Sequence, residues 1–303
     1  MNPDQPVALP RPLALVGWAY ELGAHRDRPI PADEIVARAA SLGFAAVELA
    51  GAPDEAASER LAARAAASGV GLACLAPDLA GQRLLNTRDT GDYVQAIRAA
   101  CAVARALGIT RLRLDTLQPP DIHRQADYRD LFDRLVTTWD RCLGLAGDLG
   151  LSVVWEFDAG HAFNRPSDVQ RILDRLQHDH FGVLYDTAEA ELVAVVGAGQ
   201  EGKSETLQGG QLELIRRLSG RIAHVHLADG DGSLWPAADS EIAGAKHLLP
   251  GQGRLDLAGL IAALAREEAA AASWALDLSF CPHAWDVTDE AKAALDPLLR
   301  ATA

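Results

Sequence analysis

The sequence predicts an α/β chain folded as a single-domain (β/α)8 TIM barrel, and three observations carry that expectation. Eight short apolar runs alternate with eight longer helix-period segments from one end of the chain to the other. Most of those runs are near-continuously apolar, as strands covered on both faces require. The length, 303 residues, matches the roughly 250 residues of such a barrel with ordinary insertions. Alternation alone leaves an open doubly wound sheet as a rival, and the placement of polar residues favours the closed form.

The strands expected in order are Leu13 to Gly17, Ala45 to Leu49, Val70 to Leu75, Arg111 to Asp115, Ser152 to Glu156, Gly182 to Asp186, Ile222 to Leu227 and Trp274 to Leu278. Residues 1–12 form an N-terminal lead. Pro31-Ala-Asp-Glu34 opens the first long helix, since proline and early acids suit the unpaired N–H groups and the positive dipole end, and Gly43 closes it. The same grammar recurs from Asp127 to Leu149 with Gly150, and at Pro166-Ser-Asp168. Residues 196–211, rich in glycine and polar side chains, predict a long loop or insertion after the sixth strand, and the helical pattern resumes from Leu212 to Gly220. Gly230-Asp-Gly232 predicts a turn and nothing more.

Composition narrows the function classes. Hydrophobic residues at 49% and charged residues at 23% exclude disordered and collagenous readings. A formal charge of −14 argues against nucleic acid, whose phosphates must be neutralised by Lys and Arg. Four scattered cysteines without a C-x-x-C pair, together with an N-terminus lacking signal-peptide regions, predict a reduced, cytoplasmic protein. No apolar stretch reaches the length of a membrane helix, so no membrane partner is expected. A homo-oligomer is left open. Dinucleotide, P-loop and nucleophile-elbow motifs are absent.

In a barrel of this kind reactive groups sit at the C-terminal ends of strands, around one common mouth. Strands five to eight each deliver one there: Glu156, Asp186, His226 and Asp277. A lone acid at a strand end is often a helix N-cap, but capping does not require recurrence on four consecutive strands. Three carboxylates and an imidazole make a hard O/N site suited to Mn²⁺, Co²⁺, Mg²⁺ or Zn²⁺. His224 shares a face with His226 and is expected to be a satisfied core histidine. His161, Asn164 and Arg165 follow strand five and either hold substrate hydroxyls or build the loop. Glu48 and Asp115, at the ends of strands two and four, either bind hydroxyls or cap helices. Trp18 either lines a wall for a sugar ring or belongs to the core. His283 and Trp285 follow strand eight, and His123 and His25 are expected on surface loops.

Four segments carry a family resemblance: Trp155-Glu-Phe-Asp-Ala-Gly-His161, Leu184-Tyr-Asp-Thr187, His224-Val-His-Leu-Ala-Asp229 and Pro250-Gly-Gln-Gly-Arg-Leu-Asp256. With them the chain resembles the xylose isomerase-like TIM barrels, the sugar isomerase/epimerase superfamily, and within it the inosose (2-keto-myo-inositol) isomerases. The resemblance implies a divalent metal held by Glu156, Asp186, His226 and Asp277. It further implies a small polyhydroxy carbonyl substrate, a keto-sugar or inosose, with Glu156 and Asp277 exchanging a proton at carbon through an enediolate. Two positions depart from the pattern. The eighth strand normally ends in glutamate where this chain has Asp277, and a histidine that usually contacts substrate is replaced by Glu189. A lyase acting on a related keto-cyclitol or dehydroshikimate-like acid, and a non-catalytic sugar-binding barrel, are the two alternatives these departures keep open.

Overall fold

Eight parallel strands close on themselves in the computed structural model: β1 (Leu13–Val16), β2 (Ala46–Ala50), β3 (Gly71–Ala76), β4 (Arg111–Leu114), β5 (Ser152–Glu156), β6 (Phe181–Asp186), β7 (Ile222–Leu227) and, after a two-stranded hairpin, β10 (Ser273–Leu276). Going round the barrel, β1 pairs with both β2 and β10, and β10 pairs with β7. The structure describes residues 11–21, 28–51, 53–79, 81–124, 126–235, 243–267 and 273–302. Residues 1–10 of the N-terminal lead and His25 lie outside that set.

Helices follow the strands with the punctuation expected of them. A short α1 (Trp18–Glu21) precedes α2 (Ala32–Ser41), which begins after Pro31 and ends before Gly43 at φ 74°. The long α5 (Tyr128–Asp148) is capped by the Asp127 carboxylate, which accepts from the Arg129 amide at 2.8 Å, and it gives way to Gly150 at φ 70°. The remaining helices are α3 (Glu55–Ser68), α4 (Gly91–Ala106), α6 (Pro166–Arg175), α7 (Thr187–Glu191), α8 (Gly210–Arg217), α9 (Leu257–Arg266) and α10 (Ala284–Arg300). Between α7 and α8 the chain makes a π-helical turn, Leu192–Val196, before the glycine-rich loop.

The strand period of two divides the barrel side chains into two sets. Leu15, Leu49, Trp155, Tyr185, Leu227 and Leu276 pack outward, in the large apolar core shared with the helices. Inward positions are small or polar: Ala14, Val16 and Ala275 form one minor cluster, and Cys74, Val154 and Leu184 another. Glu48, Glu156, Asp186, His224, His226 and Asp277 share parity with those inward residues on their strands, so the barrel interior itself carries the chemistry.

Two expectations change. Gly230-Asp-Gly232 is no isolated turn: it lies within β8 (Asp229–Leu234), paired antiparallel with β9 (Ala245–Leu248). Its exposed, glycine-rich strand has no apolar alternation to mark it. His123 is half-buried rather than a surface residue, stacked on Tyr128 at 5.7 Å and edge-on to Phe163 at 5.0 Å. Among the described residues no helix is long and apolar enough to cross a membrane.

Candidate active site

Parallel registry brings the strand-end groups together. Asp186 lies beside His226 across the β6–β7 pair, and His226 lies beside Ala275, two residues before Asp277. Ligand atoms of Glu156, Asp186, His226 and Asp277 all fall within 4.8 Å of one another, and all four residues are buried.

A second layer beneath them fixes the imidazole. The Glu48 carboxylate accepts from His224 Nε2 at 2.5 Å and from His226 Nε2 at 3.1 Å. Ser273 Oγ donates to His224 Nδ1 at 2.5 Å, and Arg111 donates in turn to Ser273 Oγ. Because the Glu48 carboxylate only accepts, His226 carries a proton on Nε2 and turns Nδ1 toward Asp277 Oδ2 at 3.0 Å and Glu156 Oε1 at 3.8 Å. When it carries a proton, Nδ1 donates to Asp277 Oδ2; without the proton it is a lone pair facing two carboxylates, a place that suits a metal cation. Asp186 supplies a further sign. Its Oδ1 accepts from the Ala188 and Glu189 amides and so caps α7, whereas its buried Oδ2 has no hydrogen-bond partner among the described residues. A hard divalent cation fits this donor set, three carboxylates and an imidazole with one carboxylate oxygen to spare.

Burial and charge pull the acids apart. Burial pushes Glu156 up to about 8, although Arg113 and His226 oppose it. Asp186 is raised by burial too, against His247. At Asp277 burial is outweighed by His247 and His226, and the carboxyl lies well below its ordinary range. His226 is held well above its ordinary value, because Glu48 and Asp277 outweigh its burial.

The cleft above the cluster, about 630 Å³ counted to its open mouth, is lined by Glu156 and Asp277 and by most of the residues assigned to substrate. Trp18 forms part of one wall, edge-on to Phe280 at 5.4 Å. Asp115 lines the floor but is engaged by Arg113, whose Nε donates to both its oxygens at 2.9 and 3.0 Å and whose Nη1 contacts Glu156. His161 and Glu189 also line it. Glu48 does not: it lies below the cluster, bonded to the two histidines, so the expectation that it binds hydroxyls gives way to a supporting place. Arg165 is likewise outside the lining, donating to the Glu201 carbonyl, and Asn164 donates to the Ala159 carbonyl at 2.7 Å. His283 is exposed, and Trp285 packs on Tyr20 at 5.4 Å. His224 is the satisfied core histidine expected.

Sequence reasoning missed Arg113, Asp158 and His247. Arg113 and Asp158 flank strand ends that were read only to their last polar residue. His247 stands on β9, where Nε2 is 3.7 Å from Asp186 Oδ1 and Nδ1 3.5 Å from Asp277 Oδ1. Those two carboxylates outweigh burial and push it up to about 9. Its nearness to Pro250-Gly-Gln-Gly253 was the available signal. Asp229 anchors that segment, with its oxygens accepting from the amides of Gly230, Gly251, Gly253 and Leu255.

The family model of xylose isomerase-like TIM barrels matches residues 36–290. The chain belongs to this family. No curated protein sequence matches it. Among solved structures, this xylose isomerase-like barrel is similar to a D-tagatose 3-epimerase-like protein at 15% identity, covering 96% of this chain and 98% of that one, with a TM-score of 0.71. It is also similar to 3-keto-D-glucoside 4-epimerase from E. coli, at 12% identity over 96% and 99% of the two chains, TM-score 0.70. A xylose isomerase-like TIM barrel protein from Mycobacterium smegmatis in complex with magnesium gives 12% identity over 97% and 98%, TM-score 0.69. Identities this low establish the shared fold.

Proposed function

We propose that the chain is a divalent-metal-dependent isomerase or epimerase of a small polyhydroxy ketone, a keto-sugar or inosose. The observation that carries the reading is the convergence of ligand atoms of Glu156, Asp186, His226 and Asp277 within 4.8 Å of one another, with Asp186 Oδ2 unpartnered among the described residues. Epimerases among the similar structures, and magnesium in one of them, support it.

Glu156, Asp186, His226 and Asp277 would hold the ion through three carboxylates and Nδ1. Bound there, Mn²⁺, Co²⁺, Mg²⁺ or Zn²⁺ supplies Lewis-acid stabilisation of the charge that develops on a ketone oxygen when the neighbouring carbon loses a proton. Glu156 and Asp277 project from strands separated by β6 and β7 around the barrel, so they approach the cleft from different sides. One carboxylate takes the proton from carbon and the other returns a proton, which inverts or relocates the stereocentre without a redox cofactor. Arg113, paired with Glu156 and Asp115, holds the Glu156 carboxylate in place. Asp277 is fixed by the Ser279 amide, which donates to its Oδ1 at 2.7 Å.

Purified protein titrated with Mn²⁺ is expected to bind roughly one ion per chain, and in ²H₂O to exchange a carbon-bound hydrogen next to the carbonyl of a ketose or inosose from a substrate panel. Glu156→Gln is expected to abolish that exchange. Full exchange in the variant removes Glu156 from the proton-transfer role, and a product lighter by one water assigns a lyase instead.

A further inference from the structure

Two buried histidines, His161 and His247, line the cleft. They are 3% and 2% exposed, and among the described residues neither Nδ1 nor Nε2 of either ring has a hydrogen-bond partner. The nearest acids stand back, at 3.6 Å from His161 Nδ1 to Asp158 Oδ2 and at 3.5 and 3.7 Å from the two nitrogens of His247. Buried polar atoms are nearly always paired, and an exception needs an explanation such as an absent ligand. Both residues line one cleft, and a ligand shared between them there accounts for both rings at once.

The two rings arrive from different loops, His161 after β5 and His247 on the β8–β9 hairpin. Glu189 joins the loops. Its Oε2 accepts from the Ala159 amide at 2.9 Å and its Oε1 from the Ala245 amide at 2.5 Å, each amide lying two residues before one of the histidines. Two glycines complete the joint: a Cβ on Gly160 would run into the Ala243 carbonyl, and a Cβ on Gly244 would meet Glu189 Oε1 and Phe280 at 2.6 Å. Glu189, where the family resemblance expects a substrate-contacting histidine, therefore has both oxygens engaged by backbone amides, and two histidines stand in the same cleft.

We propose that His161 and His247 form a two-sided clamp for the hydroxyl groups of a neutral polyhydroxy ketone, with Glu189 as the positioning residue that sets the gap between them. The clamp rests on the metal-dependent sugar reading above and adds the groups that hold hydroxyls outside the metal cluster. A hydroxyl both donates and accepts, so either ring nitrogen satisfies it in either state. Among the described residues six carboxylates line the cleft, Asp78, Asp115, Glu156, Asp158, Glu189 and Asp277, against one arginine, Arg113, already paired, and His247, which lies against Asp186 and Asp277. That balance favours an uncharged ligand over a phosphate ester.

The test uses the full chain loaded with Mn²⁺ and a probe panel of D-fructose, D-tagatose, D-psicose and 2-keto-myo-inositol, with the Kd of Mn²⁺ and of the tightest ketone measured separately by calorimetry. His161→Ala and His247→Ala are each expected to weaken ketone binding about tenfold or more while leaving the Mn²⁺ Kd within about threefold. His161→Asn and His247→Gln, which keep a donor and an acceptor, are expected to recover part of the loss, a recovery that a purely structural role would not give. Glu189→Gln is expected to weaken the ketone and spare the metal, because its amide must leave one of the two backbone N–H groups without an acceptor. Wild-type ketone affinity in either alanine variant overturns the clamp, as does an equal loss of Mn²⁺ affinity in His247→Ala. A wild-type chain that binds Mn²⁺ but none of the ketones overturns the clamp alone, whereas one that binds no metal overturns the reading beneath it.

Discussion

Glu48 spends both oxygens on imidazoles, and the consequence is felt one residue away. By accepting from His226 Nε2 it fixes the tautomer that presents Nδ1 to the acids, and His224, Ser273 and Arg111 hold the carboxylate in that orientation. Burial works against its charge, but His224 and His226 outweigh that and keep it ionised well below the usual carboxylate range. Outer partners of this kind typically govern metal affinity by 10- to 100-fold. Glu48→Gln places an NH₂ against one imidazole N–H, so His226 loses its fixed tautomer or His224 loses its bond. The variant is expected to bind Mn²⁺ about 10- to 100-fold more weakly while circular dichroism remains that of the wild type. Unchanged affinity would remove Glu48 from any supporting role. A strand ending in glutamate reads equally well as a cap, a hydroxyl ligand or a histidine partner. Only the inward parity it shares with His224 and His226 separates these, and that parity becomes visible once the barrel is closed.

At the scale of elements, the β8–β9 hairpin and the segment after it are held by one side chain. Asp229, 1% exposed, accepts from Gly230 and Leu255 through Oδ1 and from Gly251 and Gly253 through Oδ2, at 2.8 to 3.2 Å. Asp229→Asn turns an NH₂ toward two backbone N–H groups whichever way the amide lies. A loss of about 2–4 kcal/mol in urea unfolding is expected, and a change below about 0.5 kcal/mol would show that water replaces the carboxylate at no cost. The barrel strands were legible because both their faces are buried, which leaves uninterrupted apolar runs such as Ser152–Glu156, and because proline and glycine mark the helix ends. The hairpin was not, since Asp229–Leu234 is glycine-rich and half exposed and owes its shape to the Asp229 contacts rather than to a pattern of its own. His247 was hidden with it: a histidine on an unrecognised strand has no partner that local spacing reveals.

For the whole molecule, the formal charge of −14 is partly concentrated where water cannot screen it. Glu48, Glu156, Asp158, Asp186, Glu189 and Asp277 are all at most 6% exposed, and burial, with neighbouring carboxylates adding to it, raises the carboxyl pKa at Glu156, Asp158, Asp186 and Glu189. An ion bound at the centre, as proposed, would offset part of that repulsion, and because it would bind only the folded arrangement of four strands, its affinity would add to folding stability. At free Mn²⁺ about 100 times its Kd the gain is about 2.7 kcal/mol. For a chain somewhat larger than 250 residues, at roughly 2 °C or a little more per kcal/mol, the melting temperature should rise by about 5 °C, and EDTA should reverse it. Asp186→Asn gives the control: its Oδ1 still caps the amides of Ala188 and Glu189, while the unpartnered Oδ2 becomes a neutral NH₂. That variant is expected to melt near the metal-free wild type and to lose most of the Mn²⁺-dependent rise. A rise of full size in Asp186→Asn would place the stabilising ion elsewhere on the acidic surface, and no rise in the wild type would leave protons, not a metal, as the cations that let the buried acids coexist.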